Sequence, residues 1–230
     1  MSSDKSVKLP ARAQCICATV GFENPLWNAQ YFPENCPEEW RLAYYMNDFR
    51  VVYLPSAAWF ESGAQIALIA DELDETFELV IEWPPLTHGQ DIETTLSRLA
   101  PLAQNISCIV LNVDDVPGVV LEAAYQAIAK YYDINFSSKT MNAEAQAVFA
   151  RQHEAGFVWF PRQTKTWVLP VRYQVVSLPC RSLRDMKSLL DQLRPVIEHN
   201  TRVGLFFEPA DQSAGRALEV RTLIELMGLV

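Results

Sequence analysis

The 230-residue chain alternates between short apolar segments and longer amphipathic segments along its whole length. The short segments have the length and β-branched content of strands, and the longer ones carry apolar residues at helical spacing. Residues 106–113 (ISCIVLNV) are nearly all apolar, which is typical of a parallel strand covered on both faces. About eight such strands occur, each followed by a helix except the sixth. This alternation predicts βαβ units and a parallel sheet.

Eight βα units in 230 residues predict an α/β fold of the TIM type, a compact (β/α)8 barrel whose sixth helix is short or missing. The alternative is a doubly wound open sheet. Against that alternative, no glycine-rich phosphate-binding loop follows any strand. The first 13 residues are polar and basic, so we expect a loose tail over residues 1–13 and a single barrel domain over residues 14–230.

Charge and composition exclude several classes of partner. The net charge of −9 argues against nucleic acid and against an anionic membrane surface. No apolar run approaches the ~20 residues of a membrane span, and the first residues lack the apolar region of a secretory signal. The five cysteines are odd in number and lack zinc-type spacing, which predicts buried thiols in a reducing cytoplasm and no zinc site. We name no metal ligands, and a divalent cation held by carboxylates at the strand ends stays an open alternative. The sequence leaves any cofactor and the oligomeric state open.

Residues 17–59 are the most distinctive stretch of the chain, and they read as a strand, an aromatic loop, a helix and a second strand. Their motifs, in order, are residues 18–22 (ATVGF), 24–27 (NPLW), 31–33 (YFP), 42–45 (LAYY) and Phe49. This order resembles the YecE-like family, the TIM-barrel domain of unknown function 72. Residues 86–88 (LTH) and 215–217 (GRA) are similar to later motifs of that family. The resemblance implies a TIM-like barrel, and because the activity of the family is not established, it implies no reaction.

The chain departs from the family pattern where strands end. The family's second strand carries Glu followed by Asn-Ser-Thr-Phe-Tyr, whereas this chain has Tyr53 and then residues 55–59 (PSAAW). Glu82 stands where the family has Lys, and Asn112 stands where it has Gln. Glu208 and Pro209 replace an Asn pair. The resemblance therefore implies a divergent member in which an inherited activity is lost or altered.

Function in such barrels lies at the carboxyl ends of the strands. Strand alternation points Tyr53, Glu82 and Glu208 inward there, and His88 follows on the loop after the third strand. We assign His88 and Glu82 as candidate catalytic residues for acid–base chemistry. The candidate ligand-binding residues are a phenol, an amide, two carboxylates and two cations: Tyr53, Asn112, Asp114, Glu208, Lys139 and Arg172.

Two functions stay open, and the sequence does not decide whether the protein is an enzyme. The first is a barrel that binds a small polar or anionic ligand at its mouth, with hydrolase or lyase chemistry through His88 and Glu82. The second is a catalytically degenerate barrel that acts as a protein-interaction module, which the replaced polar positions favour. We interpret the aromatic loop with Trp27 and Phe32 as a hydrophobic plug rather than as a stacking platform for a base or sugar.

Overall fold

The computed structural model describes residues 14–27, 30–60, 63–87, 89–161 and 171–229. Within these ranges, eight strands alternate with seven α-helices. The strands are β1 (Gln14–Thr19), β2 (Val51–Leu54), β3 (Glu78–Glu82), β4 (Ile106–Asn112), β5 (Ile134–Ser137), β6 (Gly156–Phe157), β7 (Tyr173–Leu178) and β8 (Arg202–Phe207). The helices are α1 (Arg41–Asp48), α2 (Gly63–Glu72), α3 (Ile92–Arg98), α4 (Gly118–Ile128), α5 (Ala143–Gln152), α6 (Leu183–His199) and α7 (Ser213–Leu226).

The strands form two parallel sheets, in the orders β1–β8–β7 and β2–β3–β4–β5–β6. Isolated parallel bridges join the sheet edges, from Val20 to Tyr53 and from Trp159 to Val176. The predicted α/β class with parallel strands is confirmed, but the strands do not form one continuous closed ladder. At the first junction the chain turns away at Gly21, whose φ is 74°. At the second junction β6 is only two residues long.

Burial follows the pattern expected from the sequence. In β4 the four residues from Cys108 to Leu111 are fully buried, because this strand is covered on both faces. Helix α6 buries one stripe of apolar residues, including Met186, Leu190 and Leu193, and leaves its charged side exposed. None of the helices in the described ranges is both long and apolar enough to cross a membrane. The core therefore lies within the strands and between them and the helices.

The start of helix α3 agrees with the sequence prediction, and two other predicted segments lie outside the described residues. Helix α3 has the expected N-cap, because Asp91 Oδ1 accepts a hydrogen bond of 3.1 Å from the Thr94 backbone N–H. The predicted tail, residues 1–13, lies outside the described residues. Residues 162–170, where a sixth helix was expected to be short or missing, also lie outside them.

The aromatic loop after β1 packs as part of the core. Trp27 is fully buried, and its indole Nε1 donates to the Ala210 carbonyl at 2.9 Å and to Ser213 Oγ at 3.1 Å. These bonds tie the first loop to the segment between β8 and α7 and to the first residue of α7. Phe32 is also buried, with its ring centroid 6.2 Å from that of Trp27. These two rings therefore serve packing, and neither offers a free face on which a ligand could stack.

An ion pair lies at the amino ends of the strands. Arg202, the first residue of β8, donates from Nε to Glu78 Oε2 at 2.9 Å, and its Nη2 contacts Oε1 of the same carboxylate. Ser107 Oγ donates to Glu78 Oε2 at 3.2 Å. Because Glu78 begins β3 and Ser107 lies near the start of β4, one carboxylate links three strands. A bidentate pair of this kind is a strong charge-assisted contact.

Candidate functional site

A cavity of about 290 Å³ lies at the carboxyl ends of the strands. Residues from all eight strands, or from the positions that follow them, line it. They are Val20, Tyr53, Pro55, Glu82, Asn112, Ser137, Ser138, Lys139, Val158, Phe160, Val175, Ser177, Phe206, Glu208 and Pro209. Parallel strands place their carboxyl ends at one edge, which explains why residues so distant in sequence meet here.

Tyr53 lies deep in this cavity, with most of its side chain buried. Its ring packs edge-on against Phe206, with centroids 5.7 Å apart. Burial, followed by the nearby Glu82 charge, raises the pKa of the Tyr53 phenol well above its usual value. The hydroxyl group therefore keeps its proton at neutral pH. Within the described part of the chain this hydroxyl has no hydrogen-bond partner.

Glu82 ends β3, and the fold uses only part of its hydrogen-bonding capacity. Its Oε2 accepts a bond of 3.0 Å from the backbone N–H of Ser56, and its carbonyl accepts one of 3.0 Å from Trp59 Nε1. The first contact fixes the carboxylate at the cavity wall, and the second fixes the backbone of Glu82. Oε1 has no hydrogen bond among the described residues, so it remains available to a ligand.

Glu208 follows β8 on another part of the rim and is exposed. Ser177 Oγ, from β7, donates to Glu208 Oε1 at 3.1 Å. The backbone N–H of Glu208 donates to the Leu178 carbonyl at 2.8 Å. Among the ion pairs between described residues, none involves Glu82, Glu208 or Lys139. The charged groups of the mouth are therefore not neutralised by one another.

Asp114 does not line the cavity, and its hydrogen bonds organise the loop between β5 and α5. Its carboxylate accepts bonds from Lys139 N at 2.7 Å, from Thr140 Oγ1 at 2.6 Å and from Ser138 Oγ. Burial by itself would raise the pKa of Asp114, but the bonds from Ser138, Thr140 and Lys139 outweigh it and hold the pKa below its usual value. Asp114 thus positions Lys139 beside the cavity, a role that its place after β4 did not suggest.

Arg172 and His88 complete the set of residues selected from the sequence. Arg172 immediately precedes β7 and lies at the amino ends of the strands, where its charge acts on Asp133 in front of β5. It therefore lies at the opposite end from the cavity. His88 lies outside the described residues. Of the selected residues, the structure brings Tyr53, Glu82, Asn112, Lys139 and Glu208 together at the mouth.

The sequence interpretation missed much of the cavity wall. Val175 and Ser177 line it from β7. Alternation along β7 offered a signal, because Val175 and Ser177 lie two residues apart and face the same side.

Among the described residues, no group of three or more His, Cys, Asp or Glu side chains is arranged to hold a metal ion.

Comparison with known proteins gives a match in structure alone. No protein-family model matches the chain, and no curated protein matches it. A DUF72 family protein from Thermotoga maritima superposes with a TM-score of 0.73 at 17% identity, over 92% of this chain and 100% of that chain. A DUF72 family protein from Enterococcus faecalis superposes with a TM-score of 0.64 at 12% identity, over 94% of this chain and 96% of that chain. At these identities the similarity shows that the chain shares its α/β fold with DUF72 family proteins.

Proposed function

We propose that the chain is a divergent YecE-like protein of one domain, with a (β/α)8 barrel that binds a small polar ligand at its mouth. The two similar structures and the order of the strands support the family and the barrel. The odd number of cysteines and the burial of Cys15, Cys17 and Cys108 support a reducing compartment such as the cytoplasm.

The observation that carries the binding proposal is a cavity with polar groups that the fold does not use. The Tyr53 hydroxyl, Glu82 Oε1 and the Lys139 ammonium group have no partner among the described residues. A cavity with an apolar floor and a few convergent polar groups is typical of a small-molecule site. The anionic ligands included in the sequence prediction lose the support of Arg172, which lies at the other end of the strands.

Acid–base chemistry through Glu82 and His88 stays a prediction. It receives support from the free Oε1 of Glu82, which is placed to exchange a proton with a ligand. Ligand binding requires fewer correctly placed side chains than catalysis requires. Of the described candidates, Arg172 is distant from the mouth and the Asp114 oxygens are engaged by the loop.

A thermal-shift screen with sugars, amines, amino acids, phosphate and divalent metals tests the binding proposal, because a ligand that binds only the native state raises Tm. Ser137→Trp fills the cavity from β5, and Ser97→Trp on the exposed face of α3 is the matched control. We expect at least one compound to raise the Tm of the wild type and of Ser97→Trp, but not that of Ser137→Trp.

A screen without any shift would contradict the binding proposal and favour the protein-interaction module. Shifts that persist in Ser137→Trp would show that the compounds bind elsewhere.

The same screen with His88→Ala addresses the catalytic candidate, because an unchanged set of active compounds would remove His88 from the site.

A further inference from the structure

We infer that the ligand of the mouth carries a protonated amino group, which the carboxylates of Glu82 and Glu208 bind. This inference rests on the proposed binding function and adds the chemical class of the ligand. It follows from the charge of the cavity, from the oxygens that the two carboxylates leave free, and from the nature of the cavity floor.

The charge of the cavity favours a cation. Two carboxylates line it against one described cation, Lys139, and none of the three forms an ion pair with the described residues. Glu82 is partly buried, so its attraction to a counter-charge beside it would be only weakly screened by water and salt. A ligand ammonium group would supply that counter-charge. The net charge of −9 on the whole chain adds attraction for cations and repulsion for phosphate.

The hydrogen bonds of the two carboxylates fix one oxygen of each and leave the other open. Glu82 is held through Oε2 by Ser56, and Glu208 is held through Oε1 by Ser177. The free oxygens are acceptors only, so they require donors from the ligand. An ammonium group has three donors and no acceptor, which matches this arrangement. A charge-assisted bond is also roughly twice as strong as a neutral one.

The cavity floor is a second, independent observation. The Tyr53 side chain is largely buried, lines the cavity and has a hydroxyl without a partner among the described residues. Its ring packs edge-on against that of Phe206, which is fully buried, and its hydroxyl can accept a bond from a ligand ammonium group. A volume of about 290 Å³ suits a small organic molecule.

Isothermal titration calorimetry with matched compounds tests the inference. Glucosamine is compared with glucose, and 1,4-diaminobutane with 1,4-butanediol, because each pair differs chiefly in the charged amino group; inorganic phosphate is the anionic control. We expect an amine to bind at least tenfold more tightly than its hydroxyl analogue, with an affinity that falls as salt is raised. Glu82→Gln and Glu208→Gln should each weaken the amine at least tenfold, whereas the exposed Glu72→Gln on α2 should not.

The outcomes separate this inference from the function on which it rests. Equal binding of amines and their hydroxyl analogues, unaffected by the two mouth substitutions, would overturn the amino-group inference and leave ligand binding in place. Tight binding of phosphate would overturn it in the same way. Failure of every compound in the wild type, here and in the wider screen, would overturn both.

Discussion

The two ends of the strands treat their charged residues in opposite ways. At the amino ends, Arg202 and Glu78 form a bidentate ion pair that also binds Ser107. At the carboxyl ends, Glu82 and Glu208 line a cavity without an ionic partner among the described residues. Strand β3 shows the contrast within five residues, since Glu78 begins it and Glu82 ends it.

The charged residues at the amino ends of the strands therefore stabilise the fold, whereas those at the carboxyl ends are left available to a ligand. In (β/α)8 barrels, residues at the amino ends of the strands stabilise the fold and those at the carboxyl ends carry function, and we expect the same division in this parallel α/β fold. A charge that the fold needs should be costly to remove. A charge kept for a ligand should be removable with little effect on the free energy of unfolding.

The largest expected effect is that of Arg202→Met. This change leaves the Glu78 carboxylate without its cation in a partly buried place, which destabilises the fold by about 3 kcal/mol. The matched control is Lys139→Met, which removes a cation from the mouth and should change the free energy of unfolding by less than about 0.5 kcal/mol. Urea denaturation measures both. An equal loss of unfolding free energy in the two variants would contradict the difference between the two ends of the strands.

The interior of the strands, between their amino and carboxyl ends, depends on close packing. The substitution Gly204→Ala in β8 tests this packing. A Cβ at this position would lie 2.5 Å from the Phe206 ring and 2.8 Å from the Tyr173 hydroxyl, so the chain must shift to accommodate it. Overpacking of this kind destabilises by roughly 1–3 kcal/mol. Gly215→Ala in α7 meets no atom within 4 Å and should be neutral or stabilising. Thermal unfolding that ranks the two variants in the reverse order would contradict this account of the interior.

Asp114 is an acid near the mouth whose charge the fold does use, because its carboxylate accepts hydrogen bonds from the loop after β5. Its pKa is lowered in the folded state, so its stabilisation is present above the unfolded pKa of about 3.9 and is lost as pH falls through the folded pKa. Asp114→Asn should therefore destabilise by about 1 kcal/mol at pH 7 and show a smaller deficit at pH 2. The exposed Asp71→Asn should match the wild type at both values. A deficit as large at pH 2 as at pH 7 would rule out this charge-dependent role.

Much of the mouth could be predicted from the sequence, because two simple rules place it. Alternation along a strand and the rule that function lies at carboxyl ends together select Tyr53, Glu82 and Asn112, and the cavity contains all three. The same rules exclude Arg172, since it lies in front of its strand. Its selection from the sequence reflected its charge rather than its position.

Other features had no signal in the sequence. The ion pair between Glu78 and Arg202 joins residues 124 positions apart, and no local pattern links them. Asp114 was assigned to the mouth by extending β4, but that strand ends at Asn112 and the following turn directs the carboxylate into a loop. The two junctions where the ladder is interrupted depend on Gly21 and on a two-residue β6. Such details of length and turning are weakly encoded in apolar patterns.

The most direct test is the free energy of unfolding of two variants of one strand, Glu78→Gln and Glu82→Gln, measured in urea at neutral pH. Both remove one carboxylate charge and keep the shape of the side chain. The account predicts a loss of about 2–3 kcal/mol for Glu78→Gln, because Arg202 loses its counter-charge, and a change below about 0.5 kcal/mol for Glu82→Gln. A loss for Glu82→Gln as large as that for Glu78→Gln would show that the fold needs the charge at the mouth and would contradict the account.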